Sequence, residues 1–234
     1  MNRSTTEVLK KLFTRAKDAW KIKFEHEPNW TIHFLPEPRE RVRELVGDEG
    51  KRLNLATRSD YGPFFRFAGT SGFRLEECIP RWPEVDWEAG QIRKPGRGDR
   101  LVTTPITSII REILWPLRGD HAEFVFTYVA KRTRDGRIKG RRYPVTYSGV
   151  KTEWRRLRKR TGVQDFRFHD FRHDVGTKVL RQTGNLKLVQ KVLNHGDIKV
   201  TTKYAHVLDR DVADAMEDFG KSRNKSRTRS RNAG

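Results

Sequence analysis

The sequence predicts a mainly α-helical protein with a small antiparallel β-sheet, an α+β fold, and three observations carry that expectation. Apolar residues recur at helical spacing near the start and through most of the last third. Between Trp82 and Thr107 the pattern changes to short apolar pieces separated by glycine-rich turns, the mark of antiparallel strands. A later stretch, EFVFTYVAKRTRDGRIKGRRYPVTY, carries an Asp-Gly pair suited to a tight hairpin turn with φ > 0.

Taken in order, residues 5–25 place Leu9, Leu12, Phe13, Ala16 and Trp20 on one helical face. HEPNWTIHFLPEPRERV follows, and its Pro28, Pro36 and Pro38 predict an extended linker, since each proline pushes the preceding residue out of the helical region. Helical patterning resumes near Glu37–Val46 and again through about Tyr61–Phe67. AGTSGFRLEECI predicts a Gly/Ser turn and then a short amphipathic helix. The sheet occupies VDWEAGQIRKPGRGDRLVTTPIT, and a helix is expected at about Ser108–Leu117. After the hairpin, helices are expected near 148–161, 168–182, 185–194, 200–208 and 210–219. The end, GKSRNKSRTRSRNAG, has six basic residues and no acid, and reads as a disordered basic tail.

Composition bounds the function. The 234 residues suffice for one good-sized domain, or one domain plus a fragment of another. Lys and Arg number 50 against 30 Asp and Glu, a formal charge of +20. The sequence pI of about 10.5 points to a polyanionic partner, nucleic acid before others. Cys78 is the single cysteine, which excludes an intrachain disulfide and a cysteine-based zinc site. The first residues lack the apolar core of a signal peptide, and no apolar run approaches membrane-spanning length. A soluble protein of the cell interior, with no membrane partner, is the expectation.

The chemistry concentrates in FRFHDFRHDVG, residues 166–176. Its HDFRH string nearly matches the zinc-hydrolase signature H-E-x-x-H, and it also spells His-x-x-Arg, an anion-holding pair. At about 100° per residue, His169, Arg172, His173 and Gly176 share one side of a helix. Phe168, Phe171, Val175 and Val179 form the adjacent apolar stripe, and Asp170 falls poorly placed to sit between the histidines. Gly176 removes a side chain from the polar face, so something approaches closely there. The next helix, with Leu186, Val189 and Leu193, runs out at NHG, leaving His195 at an element end before Gly196. Tyr204 follows in TTKYAHV, Arg74 comes after the turn of TSGFR, and Lys94 is expected at the turn between two strands. Singly, each has a plain reading: a surface arginine, a solvated turn lysine, a capping histidine, a half-buried tyrosine.

Their order, Arg…Lys…His-x-x-Arg…His…Tyr, resembles the tyrosine recombinases, the phage-integrase family of site-specific DNA recombinases. TSGFRLEE, with Glu77 three residues after the arginine, resembles the family's first-arginine box. PEVDWEAGQI with KPGRGDRLVTTPIT resembles its three-stranded sheet and lysine turn, and FHDFRHDVGTKVL, LVQKVLNHGDI and VTTKYAHV resemble its three C-terminal blocks. The likeness covers about residues 45–215 and implies a tyrosine-recombinase catalytic-domain fold. It also implies an organisation: residues 1–26 as the end of a shortened core-binding domain, 27–44 as linker, 45–219 as catalytic domain and 220–234 as tail. Most of the family's N-terminal clamp is then missing, as expected of a truncated chain or a degenerate gene. Asn194 stands where the family commonly has glycine.

The resemblance implies an enzyme that cleaves and rejoins strands of double-stranded DNA at attachment sites through a 3′-phosphotyrosyl intermediate, without metal, ATP or other cofactor. Tyr204 is then the nucleophile, and Arg74, Arg172 and His195 face the phosphate oxygens. His169 is the proton acceptor and Lys94 the acid for the departing 5′-oxygen, while His173 supports its neighbours. It further implies a tetramer on DNA for the full-length protein, a monomer without DNA for this chain, and a bacterial cytoplasmic setting. Lys131, Arg132, Arg134, Arg137, Lys139, Arg141 and Arg142 crowd one hairpin, and in so basic a protein they read as phosphate contacts. Three alternatives stand beside this reading. A DNA-binding remnant without recombination activity would retain the same residues. DNA relaxation of the type IB topoisomerase kind would use related chemistry. A zinc hydrolase on His169 and His173, with His195 as third ligand, would leave Arg74, Lys94 and Tyr204 unexplained.

Overall fold

The computed structural model describes residues 2–36, 41–96, 98, 100–205, 212, 216 and 217. The chain divides into two compact units, Met1–Arg41 and Val42–Gly234.

In the first unit a π-helical turn, Asn2–Thr6, leads into α1 (Glu7–Asp18). The helix ends earlier than its apolar periodicity predicts. Lys21 takes a left-handed φ of 55°, and the chain doubles back so that Phe24 and Trp30 pack on Phe13, with ring centroids 4.8 and 5.2 Å away. Among its described residues the expected linker contains one helical turn, α2 (Trp30–His33), whose N-cap Asn29 accepts a hydrogen bond from the Thr31 amide.

The second unit begins with α3 (Glu49–Ala56) and α4 (Gly62–Ser71). Strands β1 (Val85–Asp86), β2 (Gln91–Pro95) and β3 (Leu101–Pro105) form an antiparallel sheet in that order, with Ile92 opposite Thr104 and Lys94 opposite Val102. α5 (Ser108–Leu114) starts at Thr107, whose hydroxyl caps the Ile110 amide, and runs into a 3₁₀ turn at Trp115–Leu117. The hairpin pairs β4 (Thr127–Val129) with β5 (Arg142–Pro144), and Asp135 and Gly136 both take positive φ at the RDGR turn. α6 (Tyr147–Thr161), α7 (Asp170–Thr183) and α8 (Leu186–Val192) follow, then 3₁₀ turns at Ile198–Val200 and Thr202–Tyr204.

Two expectations for this unit are corrected. Of the helix expected near Glu37–Val46, residues 41–46 are not helical, because tertiary bonds hold that segment open, and 37–40 lie outside the described residues. The Leu45 amide donates to Asp174 of α7 at 2.8 Å, and both Glu44 carboxylate oxygens accept from Arg181 of the same helix. The first helix of the unit is α3 instead, which apolar spacing did not signal. After TSGFR the chain forms turns rather than an amphipathic helix, since the Glu77 carboxylate folds back to accept the Arg74 amide at 2.7 Å. The helix expected at 210–219 lies outside the described residues except for helical positions 212, 216 and 217, and the basic tail lies wholly outside them.

An aromatic core holds the unit together. Phe64 and Phe65 of α4 meet Phe168, Phe65 meets Trp154 of α6, and Trp154 meets Phe166 and Phe171, all with centroids within 6.4 Å. Such pairs add about 0.5–1.5 kcal/mol each beyond the area they bury. A second, smaller cluster gathers Val175, Leu180, Val189, Leu193 and Tyr204. That second cluster carries the candidate nucleophile.

Candidate active site

α4 ends at Gly72, whose φ of 65° is the left-handed conformation glycine adopts without strain. A Cβ there would lie 2.9 Å from Leu193 and 3.2 Å from Val175, so the position also lets the end of α4 approach α7 and α8 closely. Arg74 follows. Its Nη1 donates to Glu77 Oε1 at 2.9 Å, and its side chain remains 44% exposed, leaving the rest of the guanidinium fork open to a ligand.

Arg172 on α7 is 2% exposed. Its Nη1 donates to the Gly72 carbonyl at 2.8 Å and its Nη2 to the Leu193 carbonyl. One guanidinium therefore ties together the turn before Arg74 and the turn before His195. Burial, and then the nearby Arg74 charge, brings its pKa down to about 10. It remains cationic at neutral pH.

Tyr204 is fully buried, and its phenol lies 3.0 Å from His173 Nδ1. The His195 ring stacks on it at 6.4 Å with an interplanar angle of 11°, and the His169 ring meets His173 edge to face at 5.0 Å. The close approach expected at Gly176 is made by Tyr204, for a Cβ there would sit 2.9 Å from Tyr204 Cζ. His195 Nδ1 pairs with Thr201 Oγ1 at 2.8 Å, and the Tyr204 amide donates to the Thr201 carbonyl. Burial, followed by the Arg172 charge, lowers the His195 pKa to about 3 and also lowers that of His169. Both rings are neutral at pH 7.

Lys94 stands apart from this group. It lies within β2, not on the turn, because the strand continues to Pro95 and alternation puts Lys94 on the same face as buried Ile92. Its Nζ donates to the Ile79 carbonyl at 2.9 Å and pairs with Glu84 at 3.3 Å. The zinc alternative gains no support from the side chains. Asp170 Oδ2 accepts the Arg167 amide instead of lying between the histidines, and among the described residues no three His, Cys, Asp or Glu side chains gather as metal ligands.

Two clefts meet at Arg74. One, of about 710 Å³, runs along Lys151, Arg155 and Arg158 of α6 and reaches Arg167 and His169. The other, of about 720 Å³, is lined by Arg74, Arg100, Asn194, His195, Gly196 and Asp197. Sequence reasoning missed these α6 cations, though Lys151, Arg155 and Arg158 recur at i, i+4 and i+7, the one signal that marked them. It also missed Lys203, whose ammonium lies 5.6 Å from the Tyr204 ring centroid and helps to lower the pKa of both His169 and His195. The seven hairpin cations are all exposed. Arg142 is committed in part to Asp120 at 3.1 Å, and Arg134 to Asp135 at 3.5 Å.

The profile of the phage integrase family matches residues 45–211. The chain belongs to the phage integrase family. Among its curated relatives, the integrase of Salmonella phage P22 is 25% identical over 204 residues, which are 85% of this chain and 52% of that protein. Tyrosine recombinase XerC of Xanthomonas axonopodis pv. citri (strain 306) is 27% identical over 203 residues, 82% of this chain and 64% of that protein. This family member therefore spans between half and two thirds of the length of these two relatives. In fold it is similar to a lambda integrase dimer bound to a COC′ core site, at a TM-score of 0.64 and 18% identity over 85% of this chain and 70% of that one. It is similar also to XerA recombinase, at a TM-score of 0.57 and 19% identity over 93% and 84% of the two chains. The α+β fold expected from the sequence, a recombinase catalytic domain, is the fold observed. Among the described residues no helix is long and apolar enough to cross a membrane.

Proposed function

We propose that this integrase-family chain is the catalytic part of a site-specific recombinase that cleaves and rejoins double-stranded DNA through a covalent tyrosyl link. The observation that carries the reading is the packing of the Tyr204 phenol among His173, His195 and the Arg172 helix, with Arg74 at the junction of two cation-lined clefts.

A phenol titrates near pH 10, so at neutral pH it needs help to become a nucleophile. In the proposed reaction Tyr204 attacks a scissile phosphate, forming a 3′-phosphotyrosyl ester and releasing a 5′-hydroxyl. A second 5′-hydroxyl then displaces the tyrosine, and the ester conserves the energy of the broken bond throughout. Arg74 and Arg172 offer guanidinium forks to the non-bridging oxygens, where negative charge gathers in the transition state. In this reaction the Thr201 hydroxyl, 2.8 Å from Nδ1, is assigned as donor, so that neutral His195 carries its proton on Nε2 and donates to the same oxygens. His169, neutral for the reasons above, accepts the phenol proton, with His173 aligning the hydroxyl. Lys94 serves as acid for the 5′-oxygen by leaving Glu84 and Ile79 when DNA binds. Attachment sites as substrate, a tetramer for the full-length protein and a bacterial cytoplasmic setting belong to the same proposal. So does the assignment of residues 1–26 to the end of a core-binding domain.

Formation of a covalent protein–DNA complex on a nicked suicide duplex, in excess EDTA, tests the reading. The wild-type chain is expected to give a band that survives denaturation, and Tyr204→Phe none. A band that persists in the variant would falsify the assignment of Tyr204. DNA binding with no band from the wild type would favour the non-recombining remnant.

A further inference from the structure

Arg100 immediately precedes β3, and the sequence offered no reason to single it out from Arg93 and Arg97. In the fold its guanidinium lies over Gly196, immediately after His195. A Cβ at Gly196 would fall 1.6 Å from Arg100 Nη1 and 2.6 Å from Cζ, so the space glycine leaves empty is the seat of this side chain. The backbone is built to bring it there. Asn194, at φ 51°, accepts from the Thr103 amide at 3.1 Å through Oδ1 and donates to the Thr103 carbonyl at 2.8 Å through Nδ2. A single side-chain amide thus extends β3 onto the turn that carries His195. The departure at Asn194 from the family's usual glycine is, in this chain, a splice between the sheet and the His195 turn.

The cleft that Arg100 enters, about 720 Å³, also holds Arg74 and His195, and opens to solvent. Its one carboxylate, Asp197, has Oδ1 occupied by the Lys199 amide at 2.9 Å, and among the described residues no acid forms an ion pair with Arg100. An exposed guanidinium that shares a cleft with Arg74 and the neutral His195, with no acid paired to it among the described residues, suits an anion with oxygens on more than one side. We propose that Arg100 is a phosphate-binding residue of this site, gripping a phosphodiester of the bound DNA strand on the His195 side, with Gly196 as its seat and Asn194 as the positioning residue that aligns it. The proposal rests on the DNA-directed reading above and names a contact within it.

Binding of a fluorescein-labelled mixed-sequence duplex, measured across about 50 to 200 mM salt, tests it, because each phosphate contact contributes about 0.9 to the slope of log K against log salt. Arg100→Gln is expected to weaken binding several-fold and lower that slope by about 1. Gly196→Ala keeps every charge but pushes the exposed, flexible end of Arg100 off its place over Gly196, and is expected to lose part of the same increment. Asn194→Gly keeps the left-handed backbone without the splice and is expected to fall between wild type and Arg100→Gln. An unchanged slope in Arg100→Gln overturns the contact. A reduced slope in Arg100→Gln with a wild-type slope in Gly196→Ala overturns the seat and leaves only diffuse charge. Failure of the wild-type chain to bind the duplex would instead sink the DNA-directed reading itself.

Discussion

Tyr204 and Gly176 have to be considered together. The phenol ring fills the space where any other residue at 176 would carry its Cβ, with Leu193 Cδ1 also 2.9 Å from that position. Neither neighbour is the loose end of a surface chain, since Tyr204 and Leu193 are both fully buried. Gly176→Ala therefore overpacks the second core cluster, at a cost of about 1–3 kcal/mol. Urea unfolding is expected to show that loss. Covalent complex formation is expected to fall well beyond it, because the ring is pushed from His173 and from the stack on His195. A variant with wild-type cleavage would mean that the Tyr204 position here is not the reacting one. The same residue scale shows what sequence can convey: helical phase put His169, Arg172 and Gly176 on one side and left room at 176. It could not say that His173, on that same side, is the phenol's partner, because the relation depends on a turn 31 residues later.

Elements were legible where their own residues determine them and obscure where another part of the chain does. α6 and α7 follow from apolar periodicity within their own stretches, and the RDGR turn from two residues with positive φ. Residues 41–46 have helical patterning too, yet their polar groups are claimed by α7: the Leu45 amide by Asp174, and Glu44 by Arg181. Lys94 was misplaced for a related reason, as glycines at 96 and 98 suggested a turn beginning earlier than strand pairing with Leu101–Val102 allows. These tertiary claims have measurable worth. Asp174 accepts from Leu45 through Oδ1 and from Lys178 through Oδ2, and both carboxylate oxygens are sheltered in a residue only 5% exposed. Asp174→Ala strands the Leu45 amide and is expected to destabilise the chain by about 1–3 kcal/mol. Limited proteolysis is expected to cut faster near residues 41–46. Unchanged protection there would show that Arg181 and Glu44 hold the segment alone.

At the scale of the molecule, the +20 charge is spread unequally in its availability. Some cations are already satisfied: Arg142 by Asp120, Arg58 by Asp60 at 2.6 Å, Arg160 by Glu153 at 2.8 Å. Others have no acid in ion-pair range among the described residues, and besides Arg100 two groups of them stand out. Lys151, Arg155 and Arg158 line the cleft that also holds Arg74 and His169, so a strand reaching the site through that cleft passes all three. Arg158 adds a buried Nε without a hydrogen-bond partner. Lys131, Arg132 and Lys139 stand exposed on the hairpin, which the sequence alone had already marked. If each group meets the DNA backbone, neutralising all three of its members to Gln lowers the salt slope of duplex binding by about 2 to 3. That loss is expected for both triple variants, and a smaller one for Arg142→Gln, whose charge is already shared with Asp120. The two triple variants should then part company at saturating DNA, where the α6 set, lining the cleft of the reacting group, slows covalent complex formation and the hairpin set does not. A wild-type slope in the hairpin variant would make that face a solvated one, and a wild-type slope in the α6 variant would move the path of the strand to the other cleft.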